Sequence, residues 1–266
     1  MTILVPTDFS ANASQAIEYA TEICRATGSR LVLLHVCADK LSPIRQRLQA
    51  EETMAALIKT IADEYSEIAC TSAIASGDVV EQILFQSDSL EADLIVMGTE
   101  GASNLGRLFF GSNTAAVIEK TTRTVLSIPA GTAFVRPERM LFCTNLTPAE
   151  KNAAIHFVNF AKAFDATVII AHVSTEEDRE EAEASLVEVF TSEIVRRSGY
   201  EKITSRLVGG NTPAMGIDAL IADARADIIA LSTRRRSLFE KMYNPSLTKK
   251  FSLQGEIPLF AFHCDP

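Results

Sequence analysis

A glycine-rich stretch holds the residues of this 266-residue chain that are best suited to bind a ligand. Three of its glycines follow an apolar run, and three polar residues come directly after the last one, where a helical period begins. Glycine lets the backbone approach a ligand or adopt positive φ. The first N–H groups of a helix, together with its dipole, attract anions. The stretch therefore predicts a polyphosphate site at Gly98, Gly101, Gly111, Ser112, Asn113 and Thr114.

The spacing of these glycines does not match two common nucleotide motifs. No Gly-Lys-Ser or Gly-Lys-Thr follows, which rules out a Walker loop, and GxGxxG is absent. A turn-rich connection without a ligand is the alternative interpretation. Gly106 falls outside the spacing and indicates only loop flexibility.

Composition narrows the class of protein. Hydrophobic residues make up 47% of the chain and the formal net charge is -9, which is typical of a globular protein without a nucleic-acid partner. The basic cluster Arg234–Arg236 could bind an anion with its side chains, or could be a solvated loop or pair with acidic groups of the other module. Apolar runs are too short for a membrane span. The N-terminus has no basic region and no long apolar run, so we expect no secretory signal. The five cysteines are scattered, so we expect a cytoplasmic protein without a disulfide framework.

The chain repeats itself at a constant offset. The segment from Ile3 to Val36 aligns without a gap with the segment from Met140 to Val173, and "ADLIVMGT" resembles the later "ADIIALST". Such self-similarity predicts two copies of one module. We place the modules at residues 1–133 and 134–266, joined near "GTAFVRPE".

Each copy alternates short β-branched runs with stretches of helical period. The first copy contains the runs "TILVPT", "RLVLLHV", "IACTSAIA", "DLIVMG" and "TVLSIP". Between the first two, apolar residues recur at spacings of three and four. The order predicts an α/β fold with a parallel sheet covered by helices on both faces. Ligands bind such sheets beyond the carboxyl ends of the strands. The residues at these ends are Pro6, Thr7, Asp8, Val36, Cys37, Ser76, Gly77, Asp78 and the glycine stretch after Met97.

The spacing Gly-x2-Gly-x9-Gly-Ser resembles the ATP-binding motif of the universal stress protein family. The resemblance extends to "ILVPTDFS" and to the "HV" that ends the second strand, and both halves of the chain take part. It implies two tandem Rossmann-like modules of the adenine nucleotide alpha hydrolase-like type. Each would have a five-stranded parallel sheet in the order 3-2-1-4-5.

The resemblance also implies roles for individual residues. Pro6 and Asp8 would lie beside the adenosine, and the backbone of Val36 would meet the adenine. Met97 and Gly98 would line the base and ribose, with Gly101 beneath the phosphates. Mg²⁺ would sit on the phosphates. The predicted binding residues are Pro6, Thr7, Asp8, Val36, Met97, Gly98, Gly101, Gly111, Ser112, Asn113 and Thr114.

The second copy departs from this motif. Asn145 replaces the aspartate, Ser232 and Arg235 replace the first two glycines, and Asn244-Pro245 replaces Gly111-Ser112. We therefore expect no ATP binding of this kind in the second module.

Two residue types have competing interpretations. Asp8 could accept backbone N–H bonds at a helix start as well as contact a ligand. His35 and His172 end matching strands, where a histidine can serve as a base or can simply bond to backbone. No residue stands out as a general base for water, so we assign no catalytic residue.

The resemblance implies nucleotide-dependent signalling in a stress response, with an unidentified protein partner. Bound ATP would order residues 99–110 and so change the contact surface. In the family, modules pair through their fifth strands, so this chain could form an internal pseudo-dimer and dimerise again. The alternatives are an ATP-independent interaction or scaffold protein, a slow ATPase, and an enzyme that activates a substrate with ATP, for which two modules leave no room.

Overall fold

The computed structural model describes residues 1–37, 43–99, 111–175, 179–210, 212–233 and 257–263. The chain divides into two compact units, Met1–Phe134 and Val135–Pro266.

Within its described residues, the first unit is a parallel sheet of five strands with four helices. Its elements are β1 (Thr2–Pro6), α1 (Ala11–Thr27), β2 (Arg30–Cys37), α2 (Pro43–Glu64), β3 (Cys70–Ser76), α3 (Val79–Ser89), β4 (Leu94–Gly98), α4 (Ser112–Lys120) and β5 (Thr124–Ile128). Every strand pair is parallel, in the order β3-β2-β1-β4-β5. This confirms the predicted strand order and places each predicted strand.

The second unit repeats the arrangement. Its elements are β6 (Arg139–Cys143), α5 (Glu150–Lys162), β7 (Thr167–Ser174), α6 (Glu180–Ser198), β8 (Ile203–Gly209), α7 (Pro213–Ala224), β9 (Ile228–Thr233) and β10 (Leu259–His263). The strands pair in parallel as β8-β7-β6-β9-β10. The two-module fold class predicted from the repeat is therefore confirmed.

Burial along the central strands explains why they are apolar at consecutive positions. Ile3, Leu4 and Val5 of β1 are all fully buried. Successive side chains of a strand point to opposite faces, so both faces of the sheet are covered.

The sequence of α1 explains both its ends and its buried face. The Ser10 hydroxyl accepts the N–H of Ala13, and Gly28 ends the helix at φ 65°. The predicted apolar face is buried along its whole length: Ala13, Ala16, Ile17, Ala20, Ile23 and Cys24.

None of the helices in the described ranges is both long and apolar enough to cross a membrane. Cys24, Cys37 and Cys143 are buried, as small apolar side chains would be.

Candidate functional site

A cavity of about 170 Å³ lies at the carboxyl ends of β1, β2 and β4 in the first unit. Ten of the eleven predicted binding residues line it. They are Pro6, Thr7, Asp8, Val36, Met97, Gly98, Gly111, Ser112, Asn113 and Thr114. Gly101, like Gly106, lies outside the described residues. The fold thus brings together residues that are widely separated in the sequence.

The turn from β1 to α1 presents Asp8 to this cavity. The Thr7 hydroxyl accepts the N–H of Phe9 at 3.1 Å, and Oδ1 of Asp8 accepts the N–H of Ser10 at 3.0 Å. Phe9 has φ 63°, a left-handed conformation that non-glycine residues seldom adopt. Asp8 is exposed and lines the cavity while holding this bond. Asp8 therefore accepts a backbone N–H, as one interpretation from sequence expects, and also lines the cavity.

Val36 presents its backbone to the cavity because β1 ends before β2 does. The N–H of Thr7 donates to the carbonyl of Leu34 at 2.8 Å, and the β1–β2 register ends at Pro6 opposite Leu34. Alternate residues of a strand direct their backbone groups to the same neighbour. The N–H and C=O of Val36 therefore face the space beyond the end of β1.

His35 bonds to backbone, as the second interpretation from sequence expects. Its Nδ1 lies 2.9 Å from the carbonyl oxygen of Thr7, so Nδ1 donates the hydrogen. The ring also stacks on Phe9, with centroids 4.4 Å apart. His172 makes the matching bond to the Thr144 carbonyl at 2.7 Å. Both histidines hold the turn that follows the first strand of their unit.

Gly98 is required by packing inside the protein, a reason that the sequence did not indicate. Its φ is outside the left-handed region. A β-carbon at this position would lie 2.4 Å from Oδ1 and 3.0 Å from the backbone oxygen of Asn12. Only glycine lets the end of β4 pass this close to α1.

Gly111 also meets backbone, at the start of α4. Its N–H donates to the Thr99 carbonyl, and a β-carbon would lie 2.9 Å from that oxygen. The Thr114 hydroxyl donates to the Gly98 carbonyl at 2.7 Å and so ties α4 to the end of β4. Ser112 and Asn113 are exposed in the first turn of α4. The N–H groups of that turn have no partner within the helix and lie at the cavity.

Sequence reasoning missed the apolar wall of the cavity. The missed apolar residues are Ala13, Leu34, Val79 and Ile83, and the polar residue Thr99 was missed as well. Helical periodicity assigned Ala13 only to the core. The position of α3 could have been inferred from Asp78, because aspartate is a common residue at the start of a helix. In the structure its carboxylate accepts the N–H of Glu81 at 3.0 Å, at the start of α3.

The charge of the cavity is set by few groups. Asp8 carries the only ionisable side chain among the described residues that line it. Anion binding here would depend on backbone N–H groups, hydroxyls and the α4 dipole. In the described ranges no group of three or more His, Cys, Asp and Glu side chains could hold a metal ion.

The second unit carries two of the replacements within its described residues. Asn145 follows β6, and Ser232 lies in β9 with only 4% of its surface exposed. Arg235 and the Asn244-Pro245 pair, like the rest of the Arg234–Arg236 cluster, lie outside the described residues.

Comparisons with known proteins agree with this architecture. A universal stress protein from Archaeoglobus fulgidus has the same fold over 99% of this chain and 96% of its own, with a TM-score of 0.75 at 21% identity. A Thermus aquaticus universal stress protein, described as lying in the QAH/OAS sulfhydrylase 3' region, is 31% identical over 48% of this chain and 97% of its own. Universal stress protein MJ0577 of Methanocaldococcus jannaschii is 25% identical over 47% of this chain and 93% of its own.

The family model described as the universal stress protein family matches the chain twice, at residues 1–129 and 137–263. The two matches fall on the two units of the fold and cover nearly all of the sequence. The chain therefore belongs to the universal stress protein family and carries two copies of its module.

Proposed function

We propose that the first module binds ATP in the cavity at the ends of β1, β2 and β4, and that the protein acts as a nucleotide-dependent signalling protein. The observation that supports this proposal is the convergence of ten predicted residues on one cavity. They come from three strand ends and from the N-terminus of α4.

The adenosine end of the proposed site combines apolar walls with backbone groups. Ala13, Val79 and Ile83 provide surface for a flat base. The N–H and C=O of Val36 face the cavity and can pair with the edge of an adenine. The exposed carboxylate of Asp8 can accept a hydroxyl of the ribose.

The phosphate end uses the first turn of α4. The N–H groups of Ser112 and Asn113, their side chains and the helix dipole suit a polyphosphate. Mg²⁺ would be held chiefly by the phosphates, with hydroxyl oxygens such as that of Ser112 as protein ligands. It would neutralise phosphate charge in a cavity whose described lining offers no cationic side chain.

Signalling would follow from ordering of residues 99–110 around the nucleotide, which changes the surface offered to a protein partner. All of this segment after Thr99 lies outside the described residues. The intact glycine set favours this function over an ATP-independent scaffold. Slow hydrolysis and pairing of the fifth strands remain predictions from the family resemblance.

Native mass spectrometry of the protein purified without added nucleotide, followed by titration with ATP and AMP, tests the proposal. We expect one ATP per chain. Asp8→Ala and the pair Ser112→Ala with Asn113→Ala should each weaken binding at least about tenfold, because each removes hydrogen bonds to a charged or polar ligand. Ser185→Ala, an exposed serine of α6, is the matched control. Absence of binding by the wild type at millimolar ATP would refute the proposed function.

A further inference from the structure

The carboxylate of Glu150, in the second unit, is buried and surrounded by donors. Only 2% of the residue is exposed. Oε2 accepts the hydroxyl of Thr144 and the N–H groups of Asn145 and Thr147, each at 3.0 Å. The hydroxyl of Thr147 adds a further bond at 3.0 Å. Oε1 accepts the hydroxyl of Ser232.

These donors come from two segments that correspond to the edges of the cavity in the first unit. At the offset of 137 residues, Thr144, Asn145 and Thr147 match Thr7, Asp8 and Ser10. Ser232 matches Gly98 through the alignment of β9 with β4. Glu150 itself matches Ala13, whose methyl group lines the cavity. In the second unit the Glu150 carboxylate thus connects the turn after β6 to the end of β9. In the first unit the corresponding segments border the cavity.

Elsewhere in the second unit, α7 packs closely on β7. A β-carbon on Gly216 would lie 2.3 Å from Cγ1 of Val173. Val173 matches Val36, which lines the cavity of the first unit. Glycine at position 216 therefore allows α7 to pack directly against the end of β7.

We propose that Glu150 is an internal ligand: its carboxylate occupies the place in the second unit that matches the adenosine end of the proposed first site, and it holds the β6–α5 turn to the end of β9 without any nucleotide. A buried carboxylate with this many donors is costly to displace. An entering nucleotide, which is anionic, would also bring its negative charge close to that of Glu150. The second module is consequently closed to nucleotide and stable without it. That each chain binds one ATP rests on the proposed function, whereas the closure of the second module does not.

Hydrogen exchange of the protein without nucleotide tests the closure. Glu150→Ala should speed amide exchange at least about tenfold in residues 144–147 and also in residues 231–233, because both segments lose their shared partner. A role in helix capping alone would affect only the turn before α5. Glu188→Ala, an exposed glutamate of α6, should exchange like the wild type. Unchanged exchange at residues 231–233 in Glu150→Ala would overturn the proposal.

Transfer of the carboxylate to the first module provides a second test. Ala13→Glu should lower ATP affinity at least about a hundredfold while circular dichroism remains that of the wild type, since like charges then meet in the cavity. Ala55→Glu adds the same charge at an exposed position of α2 and should bind like the wild type. Two ATP molecules per wild-type chain would overturn the proposal. No ATP at all would refute the proposed function and leave the exchange result as the test of closure.

Discussion

The side-chain amide of Asn12 lies against the α-carbon of Gly98. A β-carbon at position 98 would be 2.4 Å from Oδ1 and 2.7 Å from Cγ of Asn12. Nδ2 of Asn12 donates to the Ile128 carbonyl at 3.2 Å, so the amide cannot simply swing away. The contact joins the first turn of α1 to the ends of β4 and β5, directly behind the cavity.

Gly98→Ala should therefore destabilise the first module even without a ligand. We expect a loss of about 1–3 kcal/mol in the free energy of unfolding, because the added methyl group overpacks a buried contact. Urea denaturation of wild type, Gly98→Ala, Asn12→Ala and the double variant measures it. Relief of the clash should make the double variant more stable than the sum of the single losses predicts. Strict additivity would show that the two residues do not interact in this way.

Phe157→Ala should lower the free energy of unfolding of the second module by about 3–5 kcal/mol, because it removes a buried aromatic ring and leaves a cavity. Phe157 is fully buried, and its ring lies 5.6 Å from that of Phe260 and 5.8 Å from that of Phe142, centroid to centroid. Hydrogen exchange read by mass spectrometry separates the modules, and protection should fall in residues 135–266. Phe85→Ala removes a ring that is 62% exposed and is the control, with a change within about 0.5 kcal/mol. A similar loss in both variants would contradict this assignment.

The sequence predicts the fold well because apolar periodicity reports burial, and burial defines strands and helix faces. The runs that became β1 to β5 and the buried face of α1 were all visible in the pattern. The repeat supplied the second module. Strand ends could be read in the same way, so most of the cavity residues were predicted.

What the sequence could not supply were contacts between distant segments. Gly98 was attributed to a ligand or to positive φ, because nothing local indicates that Asn12 packs against it. Glu150 fits the capping-box pattern with Thr147, and its bond to Ser232 depends on the pairing of β6 with β9. Ala13 looks like any core alanine until the space beside it is known. Tertiary packing, rather than local propensity, decides each of these roles.

The buried thiols predict a loss of stability in alkaline solution. Burial raises the pKa of Cys143 to about 12, and the pKa of Cys24 is also raised to about 12, chiefly by burial. Each thiol stays neutral in the folded protein but ionises near its ordinary pKa in the unfolded chain, so unfolding releases protons as the pH rises. Below about pH 9 the thiols do not lower the free energy of unfolding. Between about pH 9 and pH 12 that free energy falls by about 1.4 kcal/mol per pH unit for each thiol.

Urea denaturation at about pH 8 and about pH 10.5 measures this dependence. Cys143→Ala should lose less free energy of unfolding between the two pH values than the wild type does. The variant carries its own packing cost, so the difference between pH values is the readout. Phe85→Ala, which keeps all thiols, should follow the wild-type dependence. Parallel profiles for wild type and Cys143→Ala would contradict the buried-thiol explanation.

Thr114→Val should weaken both the first module and its proposed ligand site, through one hydrogen bond. The Thr114 hydroxyl donates to the Gly98 carbonyl at 2.7 Å, and the residue is only 3% exposed. Valine keeps the shape but leaves the carbonyl without this donor, which costs about 1–3 kcal/mol. The first turn of α4 then loses its tie to β4, and the N–H groups of Ser112 and Asn113 lose their fixed position. We therefore expect a lower free energy of unfolding in urea and weaker ATP binding by calorimetry. Thr114→Ser retains the hydroxyl and should keep most of both. A larger loss in the serine variant than in the valine variant would show that the methyl group, not the hydrogen bond, matters.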